Sequence, residues 1–169
     1  MPGSWSPDIW TPIQVVPLNI APVTAVLQTI TNNTATQVAN TTDGGSADLL
    51  SVTITPRSAS NKVMILITGF FGQGNPNGAV QLVRGSTLLA NGTGSFGGAS
   101  GYLAYDDQGG SQYTMESHAF HFIDSPNTTS ATTYLVRTSS HTTCYFNRSR
   151  EDNSGRSSST ITAMEIKAP

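Results

Sequence analysis

The densest group of side chains fit for chemistry is the run Met115-Glu116-Ser117-His118-Ala119-Phe120-His121. In an extended strand, alternate residues share a face. Glu116, His118 and Phe120 then fall on one side and His121 and Ile123 on the other. Such a strand offers a zinc ion at most Glu116 and His118, and two protein ligands are too few. One histidine per chain on a three-fold axis would supply three, but a hydrogen-bonded strand histidine is the preferred reading. His141, beside Thr142, adds nothing to either.

The other chemical candidates are weaker. Asp106 and Asp107 are adjacent, so an extended backbone points them apart and they make a poor acid and base pair. An oxygen-rich calcium site around them lacks the spacing of a helical calcium loop. Glu151 and Asp152 sit among Arg148, Arg150 and Arg156, which reads as exposed ion pairing. GTGSFG at 92–97 matches a dinucleotide fingerprint by letter. That fingerprint works only where the turn opens a helix, and here it runs into Gly98-Ala99-Ser100-Gly101. No serine stands in a G-x-S-x-G elbow. Cys144, the single cysteine, excludes an internal disulfide and reads as a small buried strand residue. The expectation is a protein with no catalytic residue, metal or cofactor.

The elements that would position these groups read almost entirely as strands. Ser and Thr make up about a quarter of the chain, while charged residues are 11%, well under the usual ~25%. Threonine favours strands, and Gly, Asn and Ser favour turns. Residues 23–39 read as the first strands, with a turn at Asn32-Asn33. LLSVTIT alternates Leu50, Val52 and Ile54 onto one face. KVMILITGFF at 62–71 is the longest apolar run; it is too short to span a membrane and predicts a strand buried on both faces. AVQLVR and STLLA follow around Gly85-Ser86, then a glycine-rich loop at 91–101. QYTMESHAFHFID, TYLVRTSS, TCYFNRS and STITAMEI complete nine or ten strands. In the last, Ile161, Ala163 and Glu165 share one face and Thr162, Met164 and Ile166 the other. No amphipathic helix is found. The fold class predicted is all-β, a two-sheet antiparallel β-sandwich or jelly roll over residues 23–169.

Residues 1–22, MPGSWSPDIWTPIQVVPLNIAP, form a different kind of segment. Proline stands at 2, 7, 12, 17 and 22, and both tryptophans lie inside. Each proline fixes φ, removes a donor and pushes its predecessor to extended geometry. The result is an extended arm poor in backbone pairing, with one charge, Asp8, and apolar residues Trp5, Ile9, Trp10, Ile13, Val15, Val16, Leu18 and Ile20. A free arm of that kind is an aggregation hazard, so it is expected to dock on another protein, where tryptophans are favoured anchors. A plainer alternative lets residues 13–22 add a strand to their own domain.

Net charge is −2 and the eight basic residues are scattered, which predicts neither nucleic-acid nor membrane binding. The N-terminus lacks the basic and apolar regions of a signal peptide. A protein made in the cytoplasm without an export signal is expected, so the sequons at Asn32, Asn40, Asn91, Asn127 and Asn147 read as compositional.

SVTITPRSASNKVMI, QLVRGSTLLANG, FIDSPNTTSATTYLVRTSS, YFNRS and STITAMEI together resemble a β-sandwich module of structural proteins of tailed bacteriophages and marine viruses. The resemblance spans about residues 45–167 and rests on core strands and turns: Thr55-Pro56 ending a strand, Lys62 opening the next, and Asp124-Ser125-Pro126 turning. It implies a non-enzymatic virion component, usually trimeric, found as a decoration protein or at the ends of head and tail fibres. With the arm, it points to a homotrimeric capsid decoration or cement protein docked on the major capsid protein or another virion protein. The alternative is a short fibre or receptor-binding tip that recognises a host glycan.

Overall fold

The computed structural model describes residues 25–40, 46–72, 77–89, 103–106, 113–138, 144–151 and 157–168. Among these residues the chain is all-β, a jelly-roll-like sandwich of two antiparallel sheets. The proposed arm and the loop at 91–101 lie outside them.

The first sheet has six strands: β1 (Val26–Thr34), β2 (Val38–Asn40), β4 (Lys62–Gly72), β8 (Met115–Asp124), β10 (Cys144–Phe146) and β11 (Ser159–Ile166). The long strand β4 organises it. On one side β8 pairs with β4 from Val63↔Asp124 to Gly72↔Met115. On the other, β11 takes residues 62–68 of β4 and β10 takes Phe71 and Gly72. Strands β10 and β11 thus lie in file, and β1 and β2 line up outside them in the same way. The second sheet joins β3 (Asp48–Ile54), β9 (Thr132–Thr138), β5 (Asn77–Arg84) and β6 (Thr87–Leu89) in that order, with β7 (Leu103–Asp106) also on β5. Strands β5 and β6 close through Gly85-Ser86, where Gly85 has φ +57°, a value only glycine adopts freely.

Alternation decides which side chains fill the space between the sheets. Leu50, Val52 and Ile54 of β3 all point inward and are buried, as their spacing predicts. They meet Val63, Ile65, Ile67 and Phe71 of β4, Ile161 and Ala163 of β11, and Val80, Leu82, Tyr134 and Val136 of the second sheet. Phe71 and Phe146 pack with ring centroids 5.4 Å apart and planes tilted by 54°, a favoured aromatic arrangement.

Two sequence expectations are corrected. The Asn32-Asn33 pair does not turn: β1 runs through it to Thr34, paired with Thr160 and Ile161 of β11. The Asn32 Nδ2 donates to the Ser51 carbonyl at 2.8 Å, so the amide bridges the two sheets rather than folding back on its own backbone. Nor is β4 buried on both faces. Val63, Ile65 and Ile67 are enclosed, but Met64, Leu66 and Phe70 on the other face are only half-buried and Thr68 is exposed.

Candidate functional site

The strand face expected for the β8 residues is the one observed. Glu116, His118 and Phe120 stand opposite Phe71, Gly69 and Ile67 of β4. His118 Nε2 lies 3.7 Å from Glu116 Oε2, and its ring sits 5.8 Å from that of Phe71. Among the described residues no third His, Cys, Asp or Glu joins them as a ligand set. His121 is on the opposite face, across from Leu66. Asp106 ends β7 opposite Asn77, and Cys144 opens β10 opposite Asn40. Arg150 Nε pairs with Glu151 Oε1 at 3.1 Å on the surface, and Arg148 stacks over the Tyr145 ring at 5.6 Å. Asp107, Asp152, His141 and the arm residues Trp5, Ile9, Trp10, Ile13, Val15, Val16, Leu18 and Ile20 lie outside the described residues.

The strongest polar chemistry is at three buried groups that hold loops in place. Glu165 belongs to the inward face of β11 and is fully buried. Its carboxylate accepts from Gln28 Nε2 at 2.6 Å, Asn61 Nδ2 at 2.6 Å and the Arg57 backbone N–H at 2.7 Å. Burial alone would raise its pKa, but the bonds from Asn61, Gln28, Arg57 and Ser58 outweigh that effect and hold it below 4.5. Asn61 in turn accepts the Ala168 N–H at 3.1 Å. One carboxylate therefore fixes the β3–β4 loop against β1 and the end of β11.

A second group closes one side of the sandwich. Asp124, at the end of β8, accepts from Arg84 Nη1 at 2.6 Å and from the Tyr134 hydroxyl at 2.7 Å. Burial, and then the bond and charge of Asp124, push the Tyr134 pKa upward from 10.0. The third group is built on Asn147, fully buried with φ +55°. Its amide donates to the Thr34 and Thr36 carbonyls at 2.9 and 3.1 Å, and its oxygen accepts from Ser159 Oγ at 2.6 Å. An enclosed amide with these partners is no acceptor for a glycan, whatever its sequon. Of these three, only Glu165 left a signal in sequence, as a carboxylate in register with Ile161 and Ala163. The partners of all three come from distant loops, which no local spacing reveals.

A polar groove of about 280 Å³ opens between β1 and β3. Asn32, Asn33, Asp48 and Ser51 line it together with Leu49 and Leu135. Its amides and carboxylate could meet vicinal hydroxyls.

No protein-family model matches the chain, and no curated protein matches it.

The outer face of the first sheet carries apolar and hydroxyl side chains in register. In register across β8, β4, β11 and β1 its rows read Ile123-Met64-Met164-Thr29, then His121-Leu66-Thr162-Thr31, then Ala119-Thr68-Thr160-Asn33. Ser117 and Phe70 begin a fourth row. Ile123 is 51% exposed and Val26, opposite Ile166 at the margin, is 55% exposed. These rows contain no Lys, Arg, Asp or Glu; the marginal row that holds Ile166 and Val26 begins with the exposed Lys62.

Proposed function

We propose that this protein is a non-enzymatic virion structural component, a homotrimeric capsid decoration or cement protein anchored through its N-terminal arm. The arm is the observation that carries this reading. Residues 1–22 hold both tryptophans, a proline in every five residues and a single charge. Such a segment gains little from its own backbone bonds and leaves its apolar side chains for another surface. The docking partner is the major capsid protein or another virion protein.

The folded domain supports a structural role. Its buried polar groups hold loops and sheet edges, and its surface is rich in threonine and poor in charge. The resemblance of residues 45–167 to virion β-sandwich modules points the same way. The groove of Asn32, Asn33, Asp48 and Ser51 favours a second reading, a short fibre or receptor-binding tip that takes a host glycan.

Deletion of residues 2–12 tests the anchor. The shortened chain is expected to fold and assemble but to lose binding to virus heads, as read by co-sedimentation with particles. Full occupancy of particles by the shortened chain would remove the arm from its role. Binding of the isolated domain on a glycan array, or its location at the tail in particle images, would favour the receptor reading.

A further inference from the structure

We propose that the outer face of the six-stranded sheet is the surface through which copies of this chain bind one another. The number of copies, three, rests on the virion reading above; the face itself rests on the fold.

The first argument is the composition of β4. A near-continuous apolar strand is the mark of burial on both sides, yet within one copy only the side carrying Val63, Ile65 and Ile67 is enclosed. Met64 and Leu66 on the other side remain half-buried, with Ile123 more than half exposed beside them. The strand has the composition of a two-sided core element, and among the described residues only one side is fully enclosed.

The second argument is charge. Identical surfaces that meet about a symmetry axis bring like charges towards each other, so a self-associating face must be close to neutral. The three complete rows across this face carry no Lys, Arg, Asp or Glu. Among the described residues the one cation on this side, Lys62, stands at its margin in register with Ile166 and Val26. Threonine hydroxyls are interleaved among the apolar groups of the rows. One such pair is already joined, Thr31 to Thr162 at 2.9 Å. A foreign partner would place no such demand on the face.

Size is the third argument. Four strands about 4.8 Å apart, at about 3.3 Å per residue along Lys62 to Phe70, span a patch of about 19 by 30 Å. That is about 570 Å² before side-chain relief is counted, on the scale of the ~800 Å² per partner of a standard interface.

The competing occupant is the chain's own arm. The Ala25 carbonyl accepts the Lys167 N–H at 3.0 Å, which puts the first described residue beside Val26 and Ile166, at the margin of this face.

Sedimentation equilibrium of the full chain decides the matter, with Ala119→Asp/Ile123→Asp as the disrupting variant. Thr53→Asp, exposed on the outer side of the second sheet, is the control. The native chain and the control are expected to sediment as an assembly of 17.8 kDa copies. The double variant should keep its far-ultraviolet β signature and associate at least about 100-fold more weakly, because each copy would bury two unpaired carboxylates. Thr31→Arg, a single exposed change on β1, repeats the test if the double variant loses its β signature. A native chain that stays monomeric, or a folded charged variant that stays assembled, overturns the proposal. Association seen only after residues 2–24 are deleted also overturns it and assigns the face to the arm. Particle binding is read separately: an assembled chain that ignores virus particles leaves this face standing and removes the decoration reading.

Discussion

At the scale of single residues, the buried carboxylate Glu165 shows how a costly group becomes a staple. An enclosed charge is tolerated only when donors surround it, and Gln28, Asn61 and the Arg57 N–H do so at 2.6–2.7 Å. Replacing Glu165 by Leu strands those donors and is expected to cost about 3 kcal/mol in urea unfolding. The pH dependence has a definite sign. The folded pKa lies below the value of 4.5 in the unfolded chain. The stabilisation is therefore complete above pH ~4.5 and is lost as pH falls through the folded value. Melting temperature against pH should drop there, and in Glu165→Gln that part of the drop should vanish. Tyr134 behaves in the opposite sense. Its hydroxyl is held protonated by burial and by Asp124, so its contribution is intact below pH ~10 and fades as pH rises beyond it. Absorbance titration is expected to leave one of the five tyrosines un-ionised until the protein unfolds. Tyr134→Phe should remove that resistant group and cost about 1–2 kcal/mol.

At the scale of elements, two glycines separate two ways of constraining a turn. Gly72 ends β4 where the chain after β10 crosses close by. A Cβ there would strike the Arg148 carbonyl oxygen and come within 2.9 Å of the Ser149 Cα. Both are backbone atoms and cannot swing aside, so Gly72→Ala is expected to cost about 2–3 kcal/mol. Gly85 has open space around it, but φ of +57°. Gly85→Ala should cost only about 1 kcal/mol, the strain of a left-handed residue. Comparing the two variants by urea midpoint checks the ordering. The same scale separates the faces of β4. Ile65→Ala opens a cavity in the sealed interior and is expected to cost about 3–4 kcal/mol. Leu66→Ala should cost far less in a dissociated copy, because Leu66 is only half-buried there and its loss leaves no sealed cavity.

At the scale of the whole molecule, assembly through the outer face of the six-stranded sheet predicts a stability that depends on protein concentration. Burial against a second copy stabilises only the folded state, so by mass action the melting temperature should rise with concentration. The Ala119→Asp/Ile123→Asp variant should melt at one temperature at all concentrations. Calorimetry over a dilution series reads both. The threonine-rich, charge-poor composition fits contact between near-neutral sheets better than steering by charge.

Much of the fold was legible because alternation is local. Leu50, Val52 and Ile54, or Ile161, Ala163 and Glu165, show their inward face by period alone, since backbone geometry sends every second side chain to the same side. The run KVMILITGFF disclosed a strand by its length and composition in the same way. Its sequence also implied two-sided burial, whereas Met64, Leu66 and Phe70 are only half-buried, because apolar content along one strand does not say which of its faces other segments will cover. The Asn32-Asn33 pair misled, since asparagine favours turns when alone, whereas here the sheet beside it supplies a partner at Ser51. What awaited the tertiary structure was every relation between distant segments: Asp124 with Arg84 and Tyr134, Asn147 with Ser159 and Thr34, Glu165 with Asn61. Their bonds depend on register and on the path of loops. Spacing along one chain carries no record of either, so these contacts exist only once the two sheets have closed on each other.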